Sequence, residues 1–131
     1  MDTAVIHEAM AESQAGRLIF PEVVRRLLES GVESYFVDFV KGEMTFYSLD
    51  GTTHVEKMIV PLTAVAGEFS LTGIVAAIRG AQTDTVRYPE FVTLATEAGV
   101  IGYWVFLTSK KVIYFGRKGE AHVEEFPRPK A

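Results

Sequence analysis

The chain has no cysteine among its 131 residues. Disulfides, thiolate metal sites and a cysteine nucleophile are thereby excluded. No apolar run approaches the roughly 20 residues that a membrane-spanning helix needs. The opening stretch, "MDTAVIHEAMAESQ", mixes acids with apolar residues and lacks the basic start of a secretory signal. A cytoplasmic protein without membrane association is the expectation. Charge of one sign is not in excess either, the formal net charge being −4. The local basic group Lys110, Lys111, Arg117 and Lys118 falls at predicted turns. A phosphate backbone calls for a concentrated basic face, so no nucleic-acid partner is expected. The chain also lacks a Gly-x-Gly-x-x-Gly, a P-loop, a Gly-x-Ser-x-Gly and a His-Glu-x-x-His, the short motifs tied to known chemistry.

What is present is an ordinary globular balance. Hydrophobic residues make up 48% and charged residues 23%, with nine Phe and five Tyr. A single domain over 1–131 is the natural size. At that length folding removes roughly two-thirds of the unfolded chain's surface from water.

The organising feature is a repeat. Shifted by 68 positions, residues 20–56 lie over 88–124 without a gap, and twelve of the 37 pairs are identical. Roughly two or three would match by chance, so the chain reads as an internal duplication. Pro21/Pro89, Gly31/Gly99, Tyr35/Tyr103, Val37/Val105, Gly51/Gly119, His54/His122 and Glu56/Glu124 are among the identities. The offset extends backwards through Asp2/Ser70 and Ile6/Ile74. Two units follow, about 2–61 and about 70–129. The linking segment is 57–70, and the Pro-rich tail "FPRPKA" reads as extended.

Each unit reads ααβββ. In the second copy Leu71, Ile74, Val75 and Ile78 recur at helical spacing. Asp2 and Ser70 are good helix N-caps. Pro21 and Pro89 open a second helix, where a missing N–H costs nothing, and Gly31 and Gly99 end it. "VESYFVDFV" and "VIGYWVFLT" are rich in aromatic and β-branched residues, as strands prefer. Two further strands follow, closed by a hairpin at Asp50-Gly51 or Lys118-Gly119. The expected fold is α+β, with antiparallel strands, helices on one face, and the copies related by a pseudo-twofold axis.

A two-residue hairpin loop places Tyr47 opposite His54 and Phe115 opposite His122. His54 and Glu56 then share one strand face, as do His122 and Glu124. One reading is purely structural: same-face pairs that fill space beside an aromatic ring. The other brings both His-x-Glu pairs together near the dyad. There two imidazoles and two carboxylates suit zinc, iron or manganese, an anionic ligand, or acid–base work. His54, Glu56, His122, Glu124, Tyr47 and Phe115 are thus the candidate ligand-binding residues, with the cofactor unknown. His7 reads as a surface residue, Trp104 as core, and Tyr35 and Tyr103 as buried phenols with satisfied hydroxyls.

The runs "FPEVVRRLLESGVESYFVDFVKGEMTFYSLDGTTHVE", "IVAAIRGAQ", "YPEF" and "VFLTSKKVIYFGRKGEAHVE" resemble a bacterial family of unknown function. Some of its members are labelled "phage envelope protein". The resemblance covers nearly the whole chain and implies no activity, catalytic residue or ligand; the label implies an origin in a mobile element. Three functions are open on the sequence. The first is a non-enzymatic binding or interaction module, as a homo-oligomer. The others are a small enzyme or metal-dependent protein using the His-x-Glu pairs, and a phage-derived structural component.

Overall fold

In a computed structural model that describes residues 1–127, the order is ααβββααβββ. The helices are α1 (Thr3–Gln14), α2 (Phe20–Glu29), α3 (Leu71–Gln82) and α4 (Tyr88–Glu97). The strands are β1 (Ser34–Asp38), β2 (Glu43–Tyr47), β3 (Thr53–Lys57), β4 (Val100–Phe106), β5 (Lys111–Gly116) and β6 (Ala121–Glu125). The far end of the second unit and most of the "FPRPKA" tail lie outside the described residues.

Local signals act where the chain carries them. The Asp2 carboxylate accepts from Val5 N at 3.2 Å, and Ser70 Oγ accepts from Gly73 N at 3.0 Å. Each satisfies an orphan donor of a helix start. α2 and α4 begin one residue before their prolines, after extended Ile19 and Arg87. Phe20 and Tyr88 are therefore the first helical residues. At the end of α2, Gly31 N donates to Leu28 O and Val32 N to Leu27 O. This paired pattern closes a helix on a left-handed residue, and Gly31 has φ +88°.

All six strands form one antiparallel sheet in the order β3-β2-β1-β4-β5-β6. β1 and β4 meet at the centre with Phe36 opposite Trp104. Those two positions are also equivalent in the repeat, 68 apart, so the pseudo-twofold axis passes between them. Hydrogen bonds obey the same axis. Phe39 N donates to Ile101 O and Leu107 N to Glu33 O; Met58 N donates to Gly42 O and Phe126 N to Lys110 O. Each pair is a single bond seen once in each copy.

Alternation sorts the side chains. Tyr35, Val37, Met44, Phe46, Tyr103, Val105, Val112 and Tyr114 face the helices and are buried. With Ile6, Leu27, Ile74 and Val92 they make one core shared by both copies. The opposite sheet face carries its own aromatic row. Trp104 stacks with Tyr47 at 5.6 Å and Phe106 at 5.8 Å, and meets Phe36 at 5.2 Å. Trp104 is therefore not in the helix-side core as expected. Its indole N–H is nonetheless buried, and it has no partner among the described residues.

Candidate functional site

The hairpin loops are one residue longer than a two-residue turn. Ser48 N donates to Thr52 O at 3.0 Å and Gly116 N to Glu120 O at 2.8 Å. Residues 49–51 and 117–119 thus form three-residue loops, each ending on a glycine with positive φ. Asp50 braces the first loop. It accepts from the Ser48 hydroxyl and from Thr52 N and Oγ1, and these bonds pull its pKa down to about 2.

The extra residue changes what faces what. Phe46, not Tyr47, stands opposite His54, and Tyr114, not Phe115, stands opposite His122. A slip of one residue moves a side chain to the other face of the sheet. Tyr47 and Phe115 consequently lie on the outer face, with Trp104 and Phe36. The two histidines and two glutamates lie on the helix side.

The two His-x-Glu pairs do not converge. They sit on β3 and β6, the opposite edges of the sheet. Five strand spacings of about 4.8 Å separate these edges, on the order of 24 Å across the sheet. Among the described residues no group of three or more His, Cys, Asp or Glu is placed to hold a metal ion. Convergence near the dyad fails because the axis runs through the β1–β4 seam, and each copy carries its third strand outward.

Each pair is instead tied to the helix above it. The Glu56 carboxylate accepts from His54 Nε2 at 2.5 Å and from His7 Nδ1 of α1 at 2.6 Å. Glu124 accepts from His122 Nε2 at 2.9 Å and from Arg79 Nη1 of α3 at 2.5 Å. Burial raises the Glu124 pKa, but the bonds from Arg79 and His122 outweigh it and hold the carboxyl below its ordinary value. His7 is exposed, as expected, yet anchored. Arg79 and the bond of His7 to Glu56 went unread in the sequence because the repeat does not preserve these residues: Val75 is equivalent to His7 and Ala11 to Arg79.

A cavity of about 260 Å³ lies between the helices and the inner face of the sheet, with walls from both copies. Met10, Leu18, Val23, Met44, Ile78, Val86, Phe91 and Val112 make its apolar lining. Tyr35, Tyr88, Tyr103 and Tyr114 also line it, four of the five tyrosines in the chain. Exposed Gln82, Asp84 and Glu125 mark its rim. There Arg87 donates to Gly16 O at 3.0 Å and pairs with Asp84 at 2.7 Å, tying the two copies together. Of the six candidate residues from the sequence, Glu124 alone borders this cavity.

The phenols are unevenly satisfied. Tyr88 and Tyr103 share a hydrogen bond of 2.8 Å between their hydroxyls. Tyr35 and Tyr114 hydroxyls make none with the described residues, so the expectation of satisfied phenols holds for Tyr103 and fails for Tyr35. Burial raises the pKa of all four, and the neighbouring phenols push Tyr35 and Tyr103 further. All four are neutral at physiological pH. The cluster had a faint trace in the sequence. Only Tyr35/Tyr103 recur, whereas Tyr88 and Tyr114 replace Phe20 and Phe46 of the first copy. The hydroxyls accumulate in the second copy, where identity alone does not register them.

Fold and cavity together define a duplicated α+β protein with a pocket walled by both copies. The chain belongs to the family described as "Protein of unknown function (DUF1398)", whose model matches residues 20–125. That description agrees with the unknown-function part of the resemblance and mentions neither phage nor bacterial origin. No curated protein matches the chain. Among the described residues no helix is long and apolar enough to cross a membrane.

Proposed function

We propose that this protein is a non-enzymatic binding module that holds a small molecule in the cavity between its two copies. The observation that carries the reading is the lining: a largely apolar space with a few converging hydroxyls. That is the usual make-up of a small-molecule site. At about 260 Å³ the space exceeds the roughly 150 Å³ apolar cavity known to admit benzene. Its location fits the reading too, since ligand sites favour the junction between packed units.

The test uses N-phenyl-1-naphthylamine, an uncharged dye that fluoresces in apolar surroundings. Titration into the intact protein is expected to give saturable, blue-shifted emission with one dye per chain. Ala81 lines the cavity, and Ala81→Trp should abolish the signal while the far-ultraviolet circular dichroism stays unchanged. If the native chain gives no saturable emission, the binding reading is wrong.

A further inference from the structure

The cavity's polar groups say more about what it accepts. Tyr35 and Tyr114 each present a hydroxyl with no acceptor among the described residues. Tyr88 and Tyr103 share one bond between two hydroxyls, so one of their protons also lacks an acceptor. Three O–H donors thus border a space whose other side-chain oxygens, those of Ser13, Gln14, Gln82, Asp84, Glu124 and Glu125, accept from none of them, Gln14 Oε1 being taken by Ile59 N and Val60 N. The nearest carboxylate, Glu124, is already engaged by Arg79 and His122. Trp104 Nε1 is the one buried side-chain polar atom without a partner among the described residues, so the Tyr35 and Tyr114 hydroxyls open onto accessible space in the cavity; a guest that displaces solvent there replaces what the donors lose only if it brings an acceptor oxygen.

Charge at the mouth narrows the choice. Asp84, Glu124 and Glu125 border the mouth, and the one lining cation among the described residues, Arg87, is held by Asp84 and the Gly16 carbonyl. An anion entering here meets carboxylates and, among the described residues, finds no available counter-charge. A cation meets attraction at the rim, where the exposed Glu125 carboxylate lies, but deeper in it loses its water against apolar walls, where the bordering carboxylate Glu124 is already engaged by Arg79 and His122. The remaining class is neutral.

We infer that the cavity takes an uncharged, mainly apolar molecule of about aromatic bicycle size, bearing a carbonyl-type oxygen that accepts from the tyrosine hydroxyls. This rests on the binding reading above and adds the chemistry of the guest. Tyr35 and Tyr114 set the preference for the acceptor, while the apolar walls set size. The rings themselves are packed: Tyr103 lies 5.5 Å from Tyr114 and 6.2 Å from Phe91. The hydroxyls are therefore held in place before a guest arrives, which lowers the ordering cost of binding.

The experiment is displacement of bound N-phenyl-1-naphthylamine from the full chain by four naphthalenes. 2-Acetylnaphthalene carries the acceptor, 2-ethylnaphthalene lacks it, 2-naphthoate is an anion and 2-naphthylmethylammonium is a cation. The acetyl compound is expected to displace the dye at roughly five- to tenfold lower concentration than the ethyl compound, as one to two hydrogen bonds imply. Both ions should be weaker than the acetyl compound by about tenfold or more. Tyr35→Phe and Tyr114→Phe remove hydroxyls that bond to no described residue, so the fold should tolerate them. Each should erase several-fold of the acetyl preference, read as the ratio of acetyl to ethyl displacement in the same variant. Equal potency of acetyl and ethyl compounds, tighter binding of either ion, or an acetyl preference untouched by both variants would overturn the assignment. Saturable dye binding in those cases leaves the binding module intact; absence of dye binding removes both.

Discussion

At the scale of single residues, the sequence marked His54, Glu56, His122 and Glu124 by their recurrence and missed what they bond to. Recurrence reports positions that both copies keep; His7 and Arg79 are particular to one copy each. The consequence is a difference in how the two carboxylates are held, a histidine above Glu56 and an arginine above Glu124. Tyr114 also lies close enough for the Glu124 charge to raise its pKa. The Glu124 pKa is lower in the fold than its ordinary value near 4.3. A depressed carboxyl contributes stability that is complete above the unfolded pKa and is lost as pH falls through the folded one. Glu124→Gln should therefore cost roughly 1 kcal/mol at pH 7, since Arg79 is more than half exposed and the bond is partly screened. The difference between variant and native protein should shrink below about pH 4. Urea midpoints measured from pH 7 down to pH 3 check this; a constant difference across that range would contradict it.

At the scale of elements, helices, strands, caps and turns were legible because each rests on local chemistry: Asp2 and Ser70 at helix starts, prolines in first turns, glycines where φ is positive. Strand register was not. A loop of three residues and one of two share the same Asp-Gly or Lys-Gly signal, and the choice puts Tyr47 and Phe115 on one face or the other. The linker's role was hidden as well, because its packing has no counterpart in the first copy. Val60 and Val65 are buried, Ala66 N donates to Thr96 O at 2.9 Å, and Thr63 meets Thr96 at 2.9 Å. Thr96 is fully buried, whereas its equivalent Leu28 is 46% exposed. This asymmetry separates two glycines with the same backbone. Gly31 (φ +88°) and Gly99 (φ +80°) both follow a helix end. A methyl on Gly31 would meet nothing nearer than 3.7 Å, while one on Gly99 would sit 2.2 Å from the Glu68 carbonyl oxygen. Gly31→Ala should cost the left-handed penalty alone, about 1–2 kcal/mol. Gly99→Ala adds displacement of the linker and should cost roughly 3 kcal/mol or more. Urea denaturation compares them, and equal losses would show that the linker yields freely.

At the scale of the whole molecule, the repeat made the pseudo-twofold axis legible, and pairing placed it between Phe36 and Trp104. What recurrence alone left open was which strands meet. Had the third strands met at the seam, the histidines would face each other; the first strands meet instead, bringing Tyr35 and Tyr103 beside the axis and the cavity between them. The seam also bears on cooperativity. Val37 pairs with Tyr103 and Val105 with Tyr35 across β1 and β4, and both valines are fully buried. Each copy thus completes the other's interior, so the two should unfold as one unit, a single domain rather than two half-domains. Val37→Ala and Val105→Ala each remove two buried methyl groups and should cost about 2 kcal/mol. In calorimetry the native protein should show one transition with equal calorimetric and van't Hoff enthalpies. Either substitution should lower that same transition as a whole. Two transitions, with each variant moving only the one that belongs to its own copy, would mean that the halves hold themselves together separately. The cavity would then lie between two independently folded bodies instead of inside one.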